Sequence, residues 1–145
     1  MRAHLIAAAL ALLPLTGAGA ATAPEPPDFV VIVNVDNPSS SADDRFVANA
    51  FLKKVTRWPG GDKIRPVDLA PDARARERFS DRVLDRSVPA VKSYWQQIIF
   101  TGRGVPPPEL ESDEAVIQYV QRYPGAVGYV SGGSDLSGVK ILELR

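Results

Sequence analysis

Between Ala50 and Leu69 the chain reads AFLKKVTRWPGGDKIRPVDL, and within this segment the backbone must change regime twice. The apolar spacing that ends at Lys53-Lys54 is helical. Trp58-Pro59-Gly60-Gly61-Asp62 reverses the chain, and Lys63 to Asp68 extends again with Ile64 and Val67 as its buried positions. Helix, tight turn and strand in immediate succession are the connection of an α/β chain.

The flanking sequence agrees. Phe29 to Val33, FVVIV, is a continuous β-branched run of the kind buried on both faces, which favours an α/β arrangement over an open antiparallel sheet. Ser39-Ser40-Ser41 followed by Asp43 and Asp44 predicts a helix start, with Ser41 accepting from the first-turn amides, and the helix running to about Lys54. Its apolar stripe is Phe46, Val47, Ala50, Phe51 and Val55. Asp72 caps a second helix with Ala75, Phe79, Val83 and Leu84 inward and its arginines mostly outward. A third begins at Ser87-Val88-Pro89, with Val91, Tyr94, Trp95, Ile98 and Ile99 at i, i+3, i+4, i+7 and i+8, and stops at Thr101-Gly102-Arg103-Gly104. Ser112 opens the last helix, with Val116, Ile117 and Val120 buried. Strands at Ala126 to Val130 and Val139 to Leu144 close the chain, giving the order β, α, β, α, α, α, β, β.

The N-terminus constrains chemistry more than fold. A basic start at Arg2 and His4, an apolar run from Leu5 to Leu15 too short to span a bilayer, and small residues from Thr16 to Ala23 predict a cleaved secretory leader over 1–23 and a mature domain over 24–145. Ala18-Gly19-Ala20 and Ala21-Thr22-Ala23 are the competing cleavage sites. The sequence holds one His, one Met and no Cys; His4 and Met1 would leave with the leader. What remains has no Ser-His-Asp or Cys-His apparatus, no histidine base and no usual zinc ligand set, so the expectation is a periplasmic protein that is not an enzyme, without cofactor, catalytic residue or metal. It also has no lipobox cysteine and no disulfide. Without Arg2, the 17 basic groups become 16 against 17 acidic ones, a balance that gives no support for a nucleic-acid partner or an anionic membrane surface. No membrane insertion is expected after leader cleavage.

Three segments in fixed order carry a resemblance: Lys53-Lys54-Val55-Thr56-Arg57-Trp58-Pro59-Gly60-Gly61, then Ile64-Arg65-Pro66-Val67, and finally Tyr123-Pro124-Gly125-Ala126-Val127-Gly128-Tyr129-Val130. Over roughly residues 28–145 the chain resembles the phosphate-binding protein of bacterial ABC uptake systems. The resemblance implies a three-layer, type II periplasmic-binding-protein-like single lobe, with a small mixed sheet flanked by helices. The chain departs from that family in three ways. Transport members have two lobes and about twice the length. Their Ser-Gly-Thr anion segment is Asp68-Leu69-Ala70-Pro71-Asp72-Ala73 here, with no hydroxyl and a carboxylate that would repel an anion. The family's glycine before the lysine is Lys53.

The remaining candidates for a small anion such as phosphate are Ser39, Ser40 and Ser41, as a cradle at a helix N-terminus or as plain caps. Arg74, beside Arg76 and Arg78, offers a planar fork or simply a solvated face. Arg103 between two glycines either projects into a cleft or accompanies a helix stop. Trp58 stacks on a ligand or seals the core, and Ser131-Gly132-Gly133-Ser134 lacks the lysine and following helix of a phosphate loop and reads as a turn. Two functions follow. One is a solute-binding-protein-like domain that binds phosphate or another small anion weakly, or only when a second chain completes the cleft. The other is an envelope interaction or assembly module that has kept the fold and lost the ligand. Their respective partners are a small anion, and a second copy or an envelope protein.

Overall fold

A computed structural model describes residues 17–145. The basic start and apolar run of the expected leader lie outside the described residues, and residues 17–28 are exposed. Among the described residues no helix is long and apolar enough to cross a membrane.

In chain order the elements are β1 Phe29–Asn34, β2 Ser41–Ala42, α1 Asp44–Phe51, β3 Arg65–Pro66, β4 Asp68–Leu69, α2 Arg74–Phe79 with a π-helical turn Ser80–Leu84, α3 Val88–Phe100, β5 Glu109–Leu110, α4 Asp113–Arg122, β6 Ala126–Ser131, β7 Val139–Ile141 and β8 Glu143–Leu144. The main sheet is four-stranded in the order β3-β6-β1-β7. It is mixed: β1 runs antiparallel to β6 and β7, whereas β3 is parallel to β6. The FVVIV run forms β1, one of the two inner strands, and Val31, Ile32 and Val33 are buried, as expected of it. Both its neighbours are antiparallel to it; the run is apolar on both sides because helices cover both faces of the sheet, a demand that does not depend on strand direction.

One face carries α4. Asn34 Nδ2 donates to the carbonyls of Val120 at 2.9 Å and Gln121 at 3.0 Å, satisfying the C-terminal end of that helix. Gly128 lets α4 approach, since a Cβ there would sit 2.7 Å from Val116 Cγ1. Across the sheet, Phe79 stacks on Tyr129 with centroids 4.0 Å apart, and Phe29 and Phe51 close the cluster.

The first helix differs from expectation. Ser41 is not its cap. Residues 41–42 form a strand parallel to β8, with Glu143 N donating to Ser40 O and Arg145 N to Ala42 O. Asp43 is the cap and accepts from Phe46 N at 2.6 Å. Chain closure by the C-terminal strand, absent from any local pattern, takes these backbone groups. In the second helix Ala73, not Asp72, stands at the N-cap, and Arg76 faces inward with 4 % exposure. The third and fourth helices match their expected starts, with Ser87 and Ser112 accepting from Ala90 N and Ala115 N. Ile99, expected inside, is 52 % exposed.

The segment of Trp58 explains its own motif. The ring is 4 % exposed, and its Nε1 donates to Gly125 O at 3.0 Å. A Cβ on Gly125 would fall 2.0 Å from Lys63 O. The tryptophan turn and the Pro124-Gly125 turn therefore dock on each other, which fixes β3 beside β6. Trp58 seals the core.

Candidate functional site

Two cavities of similar size lie on either side of Trp95, which lines both. The first, about 550 Å³, gathers Lys53, Lys63, Arg65 and Arg103 with no carboxylate in its lining. Among the described residues none of the four is in an ion pair.

Lys53 reaches this cavity through an unusual helix end. Lys54 N donates to Asn49 O at 2.8 Å and Lys53 N to Ala50 O at 3.1 Å, the paired bonds of a Schellman motif closing α1. The second of these donors, the first residue past the cap, must be left-handed, and Lys53 has φ 54°. Glycine takes that conformation freely, whereas a side chain costs about 1 kcal/mol there. Burial, and then the charge of Lys63, hold the Lys53 ammonium below the usual lysine range. Lys63 and Arg65 alternate on the extended segment after the tryptophan turn, so both project to the same side. The Arg65 guanidinium lies 4.1 Å from the centroid of the Tyr123 ring. Arg103 Nε donates to Thr101 Oγ1 at 3.0 Å, just past the end of α3. Such an arrangement attracts oxyanions, because each cation keeps unused donors and faces a region of uniform sign.

The second cavity, about 570 Å³, has apolar walls that include Trp95, Ile99 and Pro107, with Asp68, Arg76 and Glu109 in its lining. Here the buried charge is paired, whereas Lys92, also in the lining, is exposed and in no ion pair among the described residues. Arg76 Nη1 donates to Leu69 O at 2.7 Å and to Glu109 Oε2 at 3.4 Å, and lies 3.7 Å from Asp68 Oδ1. Tyr129 Oη donates to the same Asp68 oxygen at 2.8 Å. Burial pushes the Asp68 carboxyl up to about 6, against the opposing pull of Arg76 and the Tyr129 hydrogen bond. Arg76 Nε is buried without a partner among the described residues. Burial also raises the Tyr129 phenol well above its ordinary value.

The expected site residues are not brought together. Arg103 lies in the basic cavity. Arg74 is exposed and, with Arg78, faces Asp28 at 3.5 and 3.8 Å, so a carboxylate of the chain's own N-terminal segment already occupies that fork. Ser39, Ser40 and Ser41 do not form a cradle at a helix N-terminus: Ser39 N donates to Asn37 Oδ1 in a turn, and Ser41 belongs to β2. Sequence reasoning missed Lys53, Lys63 and Arg65 as members of one cavity. The signal was Lys53 in a glycine's place. Among the described residues no group of three or more His, Cys, Asp or Glu is placed to hold a metal.

No protein-family model matches the sequence, and neither does any curated protein at a significant level. Solved structures do. An ABC-type phosphate transport receptor from Vibrio cholerae superposes with a TM-score of 0.64 at 18% identity, over 81% of this chain and 46% of that one. This chain has the periplasmic-binding-protein-like fold. A Clostridium perfringens chain assigned as a phosphate ABC transporter substrate-binding protein, solved with bound phosphate, gives 0.63 at 18% identity, over 81% and 44% of the two chains. PstS from Borrelia burgdorferi gives 0.62 at 13%, over 81% and 47%. The chain thus spans about half the length of these transport proteins, and the α/β class with its small mixed sheet and flanking helices is theirs.

Proposed function

We propose that this is a periplasmic solute-binding-protein-like domain that takes a small oxyanion, phosphate among them, in the basic cavity. The observation that carries it is the set of four cations, Lys53, Lys63, Arg65 and Arg103, around one concave space with no carboxylate lining it. Like charges held together destabilise the folded chain unless an anion relieves them. The fold shared with phosphate transport proteins supports a role in binding and delivery, not in catalysis. Export by the N-terminal leader belongs to the same proposal, as does completion of the cleft by a second chain. Isothermal titration of the chain from residue 24 with phosphate, sulfate and small carboxylates tests it. Heat with millimolar or tighter affinity that weakens as salt is raised is the expected result; a folded protein giving none with any of them overturns it.

A second reading, an envelope interaction module, is favoured by one feature. At the end of α3, Phe100 is 91 % exposed, with Ile99 at 52 % and Val105 at 64 % nearby. Apolar side chains gathered at the surface mark contact sites. Light scattering on a size-exclusion column, run beside the titrations, discriminates: self-association abolished by Phe100→Ser in a chain that gives no heat with any anion supports the module, whereas phosphate binding, by one chain or by two together, supports the solute-binding domain.

A further inference from the structure

The geometry points to a small molecule bearing two linked phosphoryl groups, and not a single orthophosphate, as the anion the basic cavity is built to hold. This deepens the reading above and rests on it. The cavity, about 550 Å³, falls in the range of sites for whole small molecules, roughly 300–1,000 Å³, and exceeds what one tetrahedral anion fills. Its cations come from separate places: Lys53 from the end of α1, Lys63 and Arg65 from the extended segment leading into β3, Arg103 from the loop after α3. Three separate segments thus contribute cations to one space, so more than one anionic group can be met within it. A single phosphoryl group carries about −1.5 to −2 near neutral pH, which leaves a cluster of four cations under-compensated; two linked groups roughly double that charge and lengthen the ligand. Arg65, lying over Tyr123, and Arg103, held by Thr101, are positioned before any ligand arrives. That lowers the cost of fixing them on binding.

The backbone of Lys53, one of these four cations, adds a further sign. It occupies the left-handed position of a Schellman motif, where glycine is the strain-free residue. It brings no ion pair among the described residues, and its ammonium is placed where Lys63 repels it. A strained residue that harms the free protein on both counts marks a functional position.

Titrations with inorganic pyrophosphate and with orthophosphate at matched ionic strength, on the chain from residue 24, test the assignment. Pyrophosphate is expected to bind at least about tenfold more tightly, the equivalent of one further charge-assisted contact. Lys53→Gly relieves the backbone, so its melting temperature should rise while pyrophosphate affinity falls about tenfold. Lys54→Gly, altered one residue outside the cavity, should change affinity by less than about twofold. Equal affinity for the two anions overturns the diphosphate assignment and leaves the oxyanion reading standing. Unchanged pyrophosphate affinity in Lys53→Gly also overturns it. A folded chain that binds neither anion, nor sulfate or a carboxylate, overturns both.

Discussion

The two cavities share a wall at Trp95 and nearly the same volume, yet they treat charge in opposite ways. Around Arg76 every strong charge has an answer nearby: Asp68, Glu109, the Leu69 carbonyl and the Tyr129 hydroxyl. Around Lys53, Lys63, Arg65 and Arg103 no carboxylate lines the space. Where the carboxylates face inward the cations serve the fold, tying β4 to α2 and to β5. Where they are missing, the cations cost stability and remain available to a ligand. A basic residue is thus informative about function only once its partners are known, and removing Arg76 from the one cavity or an unpaired cation from the other should move stability in opposite directions.

The largest effect belongs to the paired cavity. Arg76→Met takes the counter-charge from Asp68, which is 4 % exposed, and should destabilise the chain by about 3–5 kcal/mol at neutral pH. Urea denaturation measures it. Part of that loss should disappear near pH 5, because Asp68 then takes a proton and no unpaired charge is left buried. A loss that is the same at both pH values would show that Arg76 acts by packing and not by charge.

The same carboxylate predicts an intermediate effect on the wild-type chain. Asp68 ionises at about 6 in the folded state against 3.8 when solvated. Between those values the folded chain keeps a proton that the unfolded chain has released. Its contribution is therefore fully present below pH 3.8 and is lost as pH rises through about 6. Arg76 and the Tyr129 hydroxyl face it and favour its charged form, Glu109 opposes it, and burial outweighs them. The stability difference between wild type and Asp68→Asn should accordingly shift against wild type from about pH 4 to about pH 7 in urea titrations, and a flat difference would refute the raised ionisation.

The sequence carried the scaffold better than the site, for physical reasons visible in single residues. Ser87 and Ser112 cap their helices because capping is decided within a few residues. FVVIV marks an inner strand because burial on both faces leaves a local trace. Ser41 misled because its backbone pairs in parallel with Glu143, over a hundred residues away in the chain, and no local pattern encodes a partner so distant. Arg76 misled through residue type: it sits three residues before Phe79 and seven before Val83, on the inward stripe, but an arginine reads as solvated until Asp68 and Glu109 are seen around it. The basic cavity is assembled from a helix end, a strand entrance and a loop that spacing could not join. Of its cations, Arg103 stands out in the sequence by its flanking glycines, and Lys53 only as a residue where a glycine is expected.

The smallest expected effect is the one that separates the two cavities most cleanly. Lys63 is exposed at the mouth of the basic cavity and repels Lys53. Lys63→Gln removes that repulsion while keeping a long polar side chain, so the free protein should gain about 0.5 kcal/mol or less, a surface-charge effect damped by solvent. The Lys53 ammonium should move back toward its ordinary value, followed by the pH dependence of its side-chain NMR signals. The gain in stability should shrink as salt is raised, since screening already weakens the repulsion. In a saturating oxyanion the sign should reverse, because the bound form of the wild type profits from the cation that burdens its free form. A Lys63→Gln chain that is less stable without any anion would mean that this lysine has a structural partner, and the contrast between the paired and the unpaired cavity would fail at that residue.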